Sequence, residues 1–351
     1  MIVSYLNWAG LAPLTVRGYI HSLIAPEIFG NMLLGHCRKK SELLKERIAS
    51  WLGCDPRQVA FVPSTSMALT VASRSLNWKE GDAVVFNRND FAANVTPWLK
   101  LSESGVVAHH CEGWQSSDNW PASTRMVSIS TVDYVTGVEQ PWQEVVTKAR
   151  QANIWTCVDA VQSAAVKPSY SKDIDFWCAG SQKWLGSGLG VAILVVSPRV
   201  LKELQPPFPT WMALNKPPYI ESGFSDTARS WEMGWITPQA IARLLANFQY
   251  FEKVGWEQIT ADIKLRRDYL HERLLEMNYQ VVSCPTRWSG IVSVDPGVPA
   301  VDYIVQDGYR NRIITAARGG CIRMSAHALT PMSDVNRAVD WLWGWKRRLS
   351  A

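Results

Sequence analysis

Residues 176–196 read FWCAGSQKWLGSGLGVAILVV, and a single charged side chain, Lys183, stands inside this apolar, glycine-rich run. Twenty-one residues with one charge are long enough for a membrane helix. The four glycines and two serines in the run interrupt helical order, so the reading is a buried segment of a soluble fold. An ammonium ion taken out of water costs several kcal/mol unless it is paired or gives up its proton. A lysine in this setting points to chemistry, and the flanking chain has to say which.

Working outward, IWTCVDA (154–160) reads as a strand ending in Asp159, with Gln162 three positions later. A second strand-like run, DFWCAG, then leads to Lys183, 24 positions after Asp159. An acid at one strand end and a lysine beyond the next suit a cofactor that needs a cation partner and a covalent anchor. Pyridoxal 5′-phosphate is such a cofactor, held as a lysine imine while a carboxylate keeps its ring nitrogen protonated.

Further short β-branched runs are VAFV (59–62), AVVF (83–86), GVVAH (105–109), MVSIS (126–130) and GVAILVV (190–196), and helical spacing fills most of the intervals. Unbroken apolar strands alternating with helices predict an α/β protein with a mostly parallel sheet covered on both faces. Ligands of such sheets gather where the carboxyl ends of strands meet helix N-termini. The Pro-, Gly- and Ser-rich stretch 206–226 reads as a long loop leaving that sheet. One helical stretch is predicted over about 239–277. After it come strand-like YQVVS (279–283), GIVSV (290–294), RIIT (312–315) and CIRMS (321–325), then a closing helix from Ser333. This tail predicts a smaller α/β domain.

The composition, 47% apolar and 19% charged over 351 residues, is that of an ordinary globular protein. The net charge of +5 is dispersed, and the clusters Arg38–Lys40 and Lys346–Arg348 are too short for a nucleic-acid-binding stripe. Seven cysteines without a CxxC pair predict reduced thiols and a cytoplasmic protein. The N-terminus shows neither a signal peptide nor an anchor, so no membrane partner is expected. His109, His110 and Cys111 are consecutive on a predicted strand and point to alternate faces, so no metal site is expected there or elsewhere.

The segment VDAVQSAAVKPSYSKDIDFWCAGSQKWLGSGLGVAIL resembles the core signature of the class V aminotransferase family. That family includes cysteine desulfurases, kynureninase, alanine-glyoxylate aminotransferase and isopenicillin N epimerase. YLNWAGLAPL (5–14) is similar to the family's N-terminal arm, VAFVPSTSMALTVA (59–72) to its phosphate loop and NDFAANVTPW (89–98) to its ring-stacking segment. SISTVDYVTGV, RSWEMGW and RGGCIRMSAHALTPMSDVNRAVDWL continue the likeness in order along the chain. The resemblance implies the fold-type I architecture of pyridoxal-phosphate-dependent transferases. An active-site arm (1–15) would precede a large domain with a seven-stranded sheet (16–250) and a smaller C-terminal domain (251–351).

The same resemblance assigns roles residue by residue. Lys183 would form the Schiff base and shuttle protons, Asp159 would pair with the pyridine nitrogen, and Gln162 would bond the ring's phenolic oxygen. Ser64, Thr65 and Ser66 would take the phosphate at a helix N-terminus, helped by Ser181 and Gln182. Phe91 would lie against the ring. Arg323 would clamp the substrate carboxylate with its planar fork, with Asn7 as a second candidate. His327 reads as a structural hydrogen-bonder.

The sequence also departs from the family pattern. Gln182 stands where many relatives have histidine, Trp235 where they have a threonine that reaches a neighbouring subunit, and Tyr134 where they have a polar residue. Tyr134 and Trp235 together point to a bulky or aromatic substrate. Residues 300–320 contain no cysteine for a persulfide route, while Cys321 lies two positions before Arg323, so a persulfide-type cysteine desulfurase is not expected. The expectation is a homodimeric enzyme acting at the Cα of an amino acid through an external aldimine and a quinonoid carbanion. Aminotransferase is the leading branch, Cβ lyase or epimerase the alternatives, and a non-catalytic binding module the alternative of another class.

Overall fold

The computed structural model describes residues 3–23, 34–111, 114, 120–167 and 169–350. The strands Val59–Val62, Ala83–Phe86, Val107–His110, Thr124–Ser130, Trp155–Asp159, Phe176–Gly180 and Ala192–Val196 form one seven-stranded sheet. Read across the sheet, the order is 59–62, 192–196, 176–180, 155–159, 124–130, 83–86, 107–110. All neighbours run parallel except the strand Ala192–Val196, which is antiparallel to both of its partners. The reason is length. Only residues 181–191 separate it from Phe176–Gly180, too few for the crossover that a parallel return needs.

Both faces of the sheet are covered, as the unbroken apolar runs require. Every residue of FWCAG and AILVV is buried. Alternate side chains feed two cores: Trp177 and Ala179 enter one, Phe176 and Cys178 the other. The expected helical stretch 239–277 is two helices, Pro238–Val254 and Trp256–Glu276. Gly255 separates them with φ 96°, a left-handed conformation open to glycine.

The C-terminal region holds a four-stranded antiparallel sheet in the order Ala316–Arg318, Cys321–Ser325, Ile291–Asp295, Gln280–Val281. The helices Val301–Arg310 and Met332–Ser350 pack with Trp256–Glu276 into its own core, which also takes Leu6 from the N-terminus. RIIT leaves this sheet: Ile313–Ile314 pairs in parallel with Ser4–Tyr5 instead. Next along the chain, Asn7 bridges Ser325. The arm is thereby tied to the strand that carries Arg323. No described helix is long and apolar enough to cross a membrane.

Candidate active site

Strands 176–180, 155–159, 124–130 and 83–86 are consecutive in the sheet, and their carboxyl ends or the turns just beyond supply Lys183, Asp159, Ser130 and Asp90. Register brings Ser130 level with Asp159, and Asp159 level with Cys178. These four side chains line one small cavity with Phe91, Tyr134 and Gln162. Phe91 and Tyr134 meet edge to face with ring centroids 5.5 Å apart. The Lys183 amine lies 5.5 Å from the centroid of Phe91.

No carboxylate among the described residues lies within ion-pair distance of Lys183. Burial pushes the amine down to about 8; Asp159 opposes the shift, and the positive charge of Arg323 adds to it. Asp159 moves the other way, up to about 7, because burial and the neighbouring Asp90 disfavour its charge. The Val161 amide, 2.9 Å from the Asp159 carboxylate, and the Lys183 charge hold part of that rise back. Together these shifts bring an acid and a base within reach of neutral pH, an arrangement suited to proton transfer.

The phosphate candidates gather at the start of the helix Thr65–Arg74. Ser64 caps it, its hydroxyl accepting from the Met67 amide at 3.2 Å. The first-turn amides of a helix have no intrahelical partner and favour an anion. Thr65 is buried, and its Oγ1 has no hydrogen-bond partner. Gly180 draws the neighbourhood together: a Cβ there would stand 2.1 Å from Gln182 Oε1 and 2.5 Å from Thr65 Oγ1. Ser66 is exposed beside them.

Ser181 and Gln162 differ from their expected roles in what they already hold. Ser181 is fully buried and donates to the Val191 and Gly188 carbonyls at 2.8 and 3.2 Å, which latches the glycine loop. Gln162 donates from Nε2 to the Ala9 carbonyl at 3.0 Å and accepts from Trp184 Nε1 at 3.1 Å. It lines the cavity while fastening the arm to the Lys183 loop.

Arg323 is 2% exposed and donates to the Tyr134 carbonyl at 2.6 Å, and its Nε has no partner. Burial and Arg318 bring its guanidinium down to about 10. No carboxylate among the described residues pairs with it. Asn7 Oδ1, close to the same strand, is also buried without a partner. Unbonded buried atoms occur elsewhere, Arg267 Nε and Trp51 Nε1 among them, but here they accompany a guanidinium without a carboxylate, an arrangement suited to a ligand.

Trp235 lies apart from this cavity. It is 45% exposed and faces Trp211, centroids 5.9 Å apart, in a second cleft with Arg38 and Arg229. His327 stacks on Trp8 at 4.2 Å, accepts the Leu329 amide at Nδ1, and is driven by burial down to about 3. It is a neutral, structural ring. None of the seven cysteines lines the cavity. Asp90, Asn94 and Ser130 did not stand out in the sequence. The acid within NDFAAN, directly after a strand, was the available signal.

The family described as aminotransferase class-V matches residues 32–297, about three quarters of the chain. The chain belongs to the class V aminotransferase family. Among curated members it is 23% identical over 320 residues to a probable cysteine desulfurase of Methanothermobacter thermautotrophicus, covering 86% of this chain and 76% of that protein. It is 24% identical over 258 residues to a cysteine desulfurase of Escherichia coli, covering 69% of this chain and 63% of the relative's length.

Among solved structures, the cystine C-S lyase C-DES in complex with its product cysteine persulfide aligns with a TM-score of 0.88 at 20% identity, over 97% of both chains. A C-DES variant with glycine covalently linked to its pyridoxal-phosphate cofactor aligns with a TM-score of 0.89 at 18% identity, over 97% of this chain and 96% of that one. The apo cysteine desulfurase of Thermococcus onnurineus aligns with a TM-score of 0.86 at 17% identity, over 98% and 95%. The fold-type I expectation is met. These relatives carry the names cysteine desulfurase and cystine C-S lyase rather than aminotransferase.

Proposed function

We propose that this class V protein is a pyridoxal 5′-phosphate-dependent lyase that breaks the Cβ–S bond of a sulfur-containing amino acid. The observation that carries the reading is the meeting of Lys183 and Asp159 in one cavity, close to an Arg323 guanidinium that has no carboxylate of its own. The residues fit the cofactor. Lys183 would anchor its aldehyde and Asp159 its ring nitrogen, while Thr65, Ser66 and Gln182 would take the phosphate beyond the capping Ser64. Phe91 would confine one ring face, with Tyr134 against its edge.

When bound, pyridoxal phosphate accepts the electron pair left at the substrate Cα. The protein's own part is positional and protonic. Arg323, with Asn7, takes the α-carboxylate and presents the Cα–H bond to Lys183. The Lys183 amine, lowered to about 8, removes that proton at moderate pH. With the cofactor bound, elimination would form the Cα–Cβ double bond as the Cβ–S bond breaks, and sulfur would depart with the bonding electrons. Water releases the remaining enamine as a 2-oxo acid and ammonia.

The names of the relatives support carbon–sulfur bond cleavage over the aminotransferase reading favoured by sequence, and the cystine C-S lyase among them supports elimination. The absence of a cysteine from the cavity lining supports a sulfur that leaves on the substrate fragment rather than on a protein thiol. Lys183, Asp159 and Arg323 held together weigh against a binding module. A homodimer in the cytoplasm is part of the same reading.

Cofactor-loaded protein incubated with L-cysteine and L-cystine should yield equimolar pyruvate and ammonia, with sulfide or sulfane sulfur in solution. Alanine together with a protein-bound persulfide would replace this reading by a desulfurase. Accumulation of the aminated cofactor with no sulfur released would restore the aminotransferase.

A further inference from the structure

We infer that Asp90 is a positioning residue of this site: a second buried carboxylate, held ionised by donors of fixed polarity, that sets the charge felt by Asp159 and Lys183. The inference rests on the cofactor reading above but not on its carbon–sulfur branch.

The polarity can be traced from Trp98. An indole N–H only donates, and Trp98 Nε1 lies 3.1 Å from Asn94 Oδ1. That contact fixes the Asn94 amide, since its oxygen must face the indole. The same oxygen accepts from Ser128 Oγ at 2.6 Å. Asn94 Nδ2 is thereby turned to Asp90 Oδ2 at 2.9 Å. On the other carboxylate oxygen, the Phe91 backbone amide donates at 2.7 Å. Ser130 Oγ completes the set on Oδ2.

Burial and Asp133 push the Asp90 carboxyl up; two donors that cannot reverse, with a hydroxyl beside them, work against that rise and match an acceptor-only carboxylate. Asn94 is 1% exposed and Ser130 8%, so water does not substitute for these bonds. The amide contact also fixes the turn Ala92–Asn94 that carries Phe91, the ring facing Lys183.

The charged groups that bear on this cluster are Asp133 and Asp159 on the acidic side and Lys183, Arg323 and Arg318 on the basic side. Asp90 raises Asp159 by repulsion and raises Lys183 by attraction. A negative charge that makes Asp159 costly to ionise alone increases the gain when a cationic ring nitrogen arrives beside it. Asp90 would thus stabilise the protonated ring without touching it.

The test is Asp90→Asn in the cofactor-loaded protein, read by absorbance across pH. Removing one negative charge should lower the pH at which the Lys183-linked chromophore titrates by roughly one unit, tenfold in its proton affinity. Asp90→Glu should restore most of the shift. Ser130→Ala, which keeps the acid but removes a donor, should move the midpoint in the same direction by less. It serves as the readout if Asp90→Asn does not fold. A chromophore in the variants that titrates where the parent does, even with a lowered melting temperature, would leave Asp90 a structural residue and overturn the inference. A parent protein without a lysine-linked chromophore would overturn the cofactor reading instead.

Discussion

Two lysines of the large sheet region have opposite fates. Lys45 is 4% exposed, and its amine lies 2.9 Å from Glu232 Oε1, which also accepts the Phe61 amide at 3.2 Å. Lys183, at the carboxyl edge of the sheet, is half-buried, and its amine has no ion pair among the described residues. The arginines repeat the contrast. Arg267, 3% exposed, bonds Asp268 at 2.8 Å and the Cys284 carbonyl at 2.7 Å. Arg323, 2% exposed, has one backbone carbonyl and, among the described residues, no carboxylate; an unbonded Nε is common to both arginines. A fold that supplies partners for its structural cations and withholds them at one cavity has left that cavity's charges for a ligand to complete.

The sharpest way to break this comparison is to remove each lysine. Lys183→Ala should abolish the lysine-linked absorbance and reduce turnover by roughly 10⁴-fold, the upper range for a proton-transfer group, while folding is retained. Lys45→Met should do the reverse. It leaves Glu232 buried and unpaired, so denaturant unfolding should show a loss of about 3–5 kcal/mol with the chromophore present in the surviving native protein. If Lys45→Met removed the chromophore as well, the division between structural and functional cations would be wrong.

Arg323→Leu should come next in size, lowering kcat/KM by about 10²-fold for an α-amino acid, since a buried charge pair with the substrate carboxylate is lost. Binding of a substrate analogue without the carboxylate should change little.

The stability of the cofactor-free protein offers a gentler test with a defined sign. Asp159 is raised from 3.8 to about 7, so the folded state binds the extra proton and stability falls as pH rises through that interval. Lys183 is lowered from 10.5 to about 8, so the unfolded state binds the extra proton and stability recovers as pH rises from about 8 to 10.5. The contribution of this pair therefore has its minimum near pH 7–8. Urea titrations should show Asp159→Asn losing the falling limb and Lys183→Met the rising one. Parallel pH profiles in all three proteins would refute the assigned burial.

The smallest effect is expected at Cys321. It is buried but does not line the cavity, and Cys321→Ser should leave turnover within about twofold. A complete loss of sulfur release would return the persulfide route.

Much of this was legible in the chain. The unbroken runs FWCAG and AILVV required a sheet covered on both faces, because a one-sided strand would alternate polar residues. Lys183 stood out because nothing else in its run carries charge. Other features were hidden. RIIT has the composition of a small-sheet strand, yet it pairs with the arm, more than 300 residues away. Ser181, expected at the phosphate, gives its hydroxyl to the Gly188 and Val191 carbonyls, neighbours that only the folded loop supplies. Trp235 is on the sequence segment that matches the family's site, and within one chain it sits in another cleft.

Taken alone, the order of residues determined the sheet, the family likeness and the odd lysine, since periodicity and the cost of a buried charge are local properties. Only the tertiary structure decided which charges are matched and which are left open, and that Asp90, an ordinary turn residue by sequence, belongs with Asp159. Whether a charge has a partner depends on distances between chain segments far apart in order, and no local pattern records them.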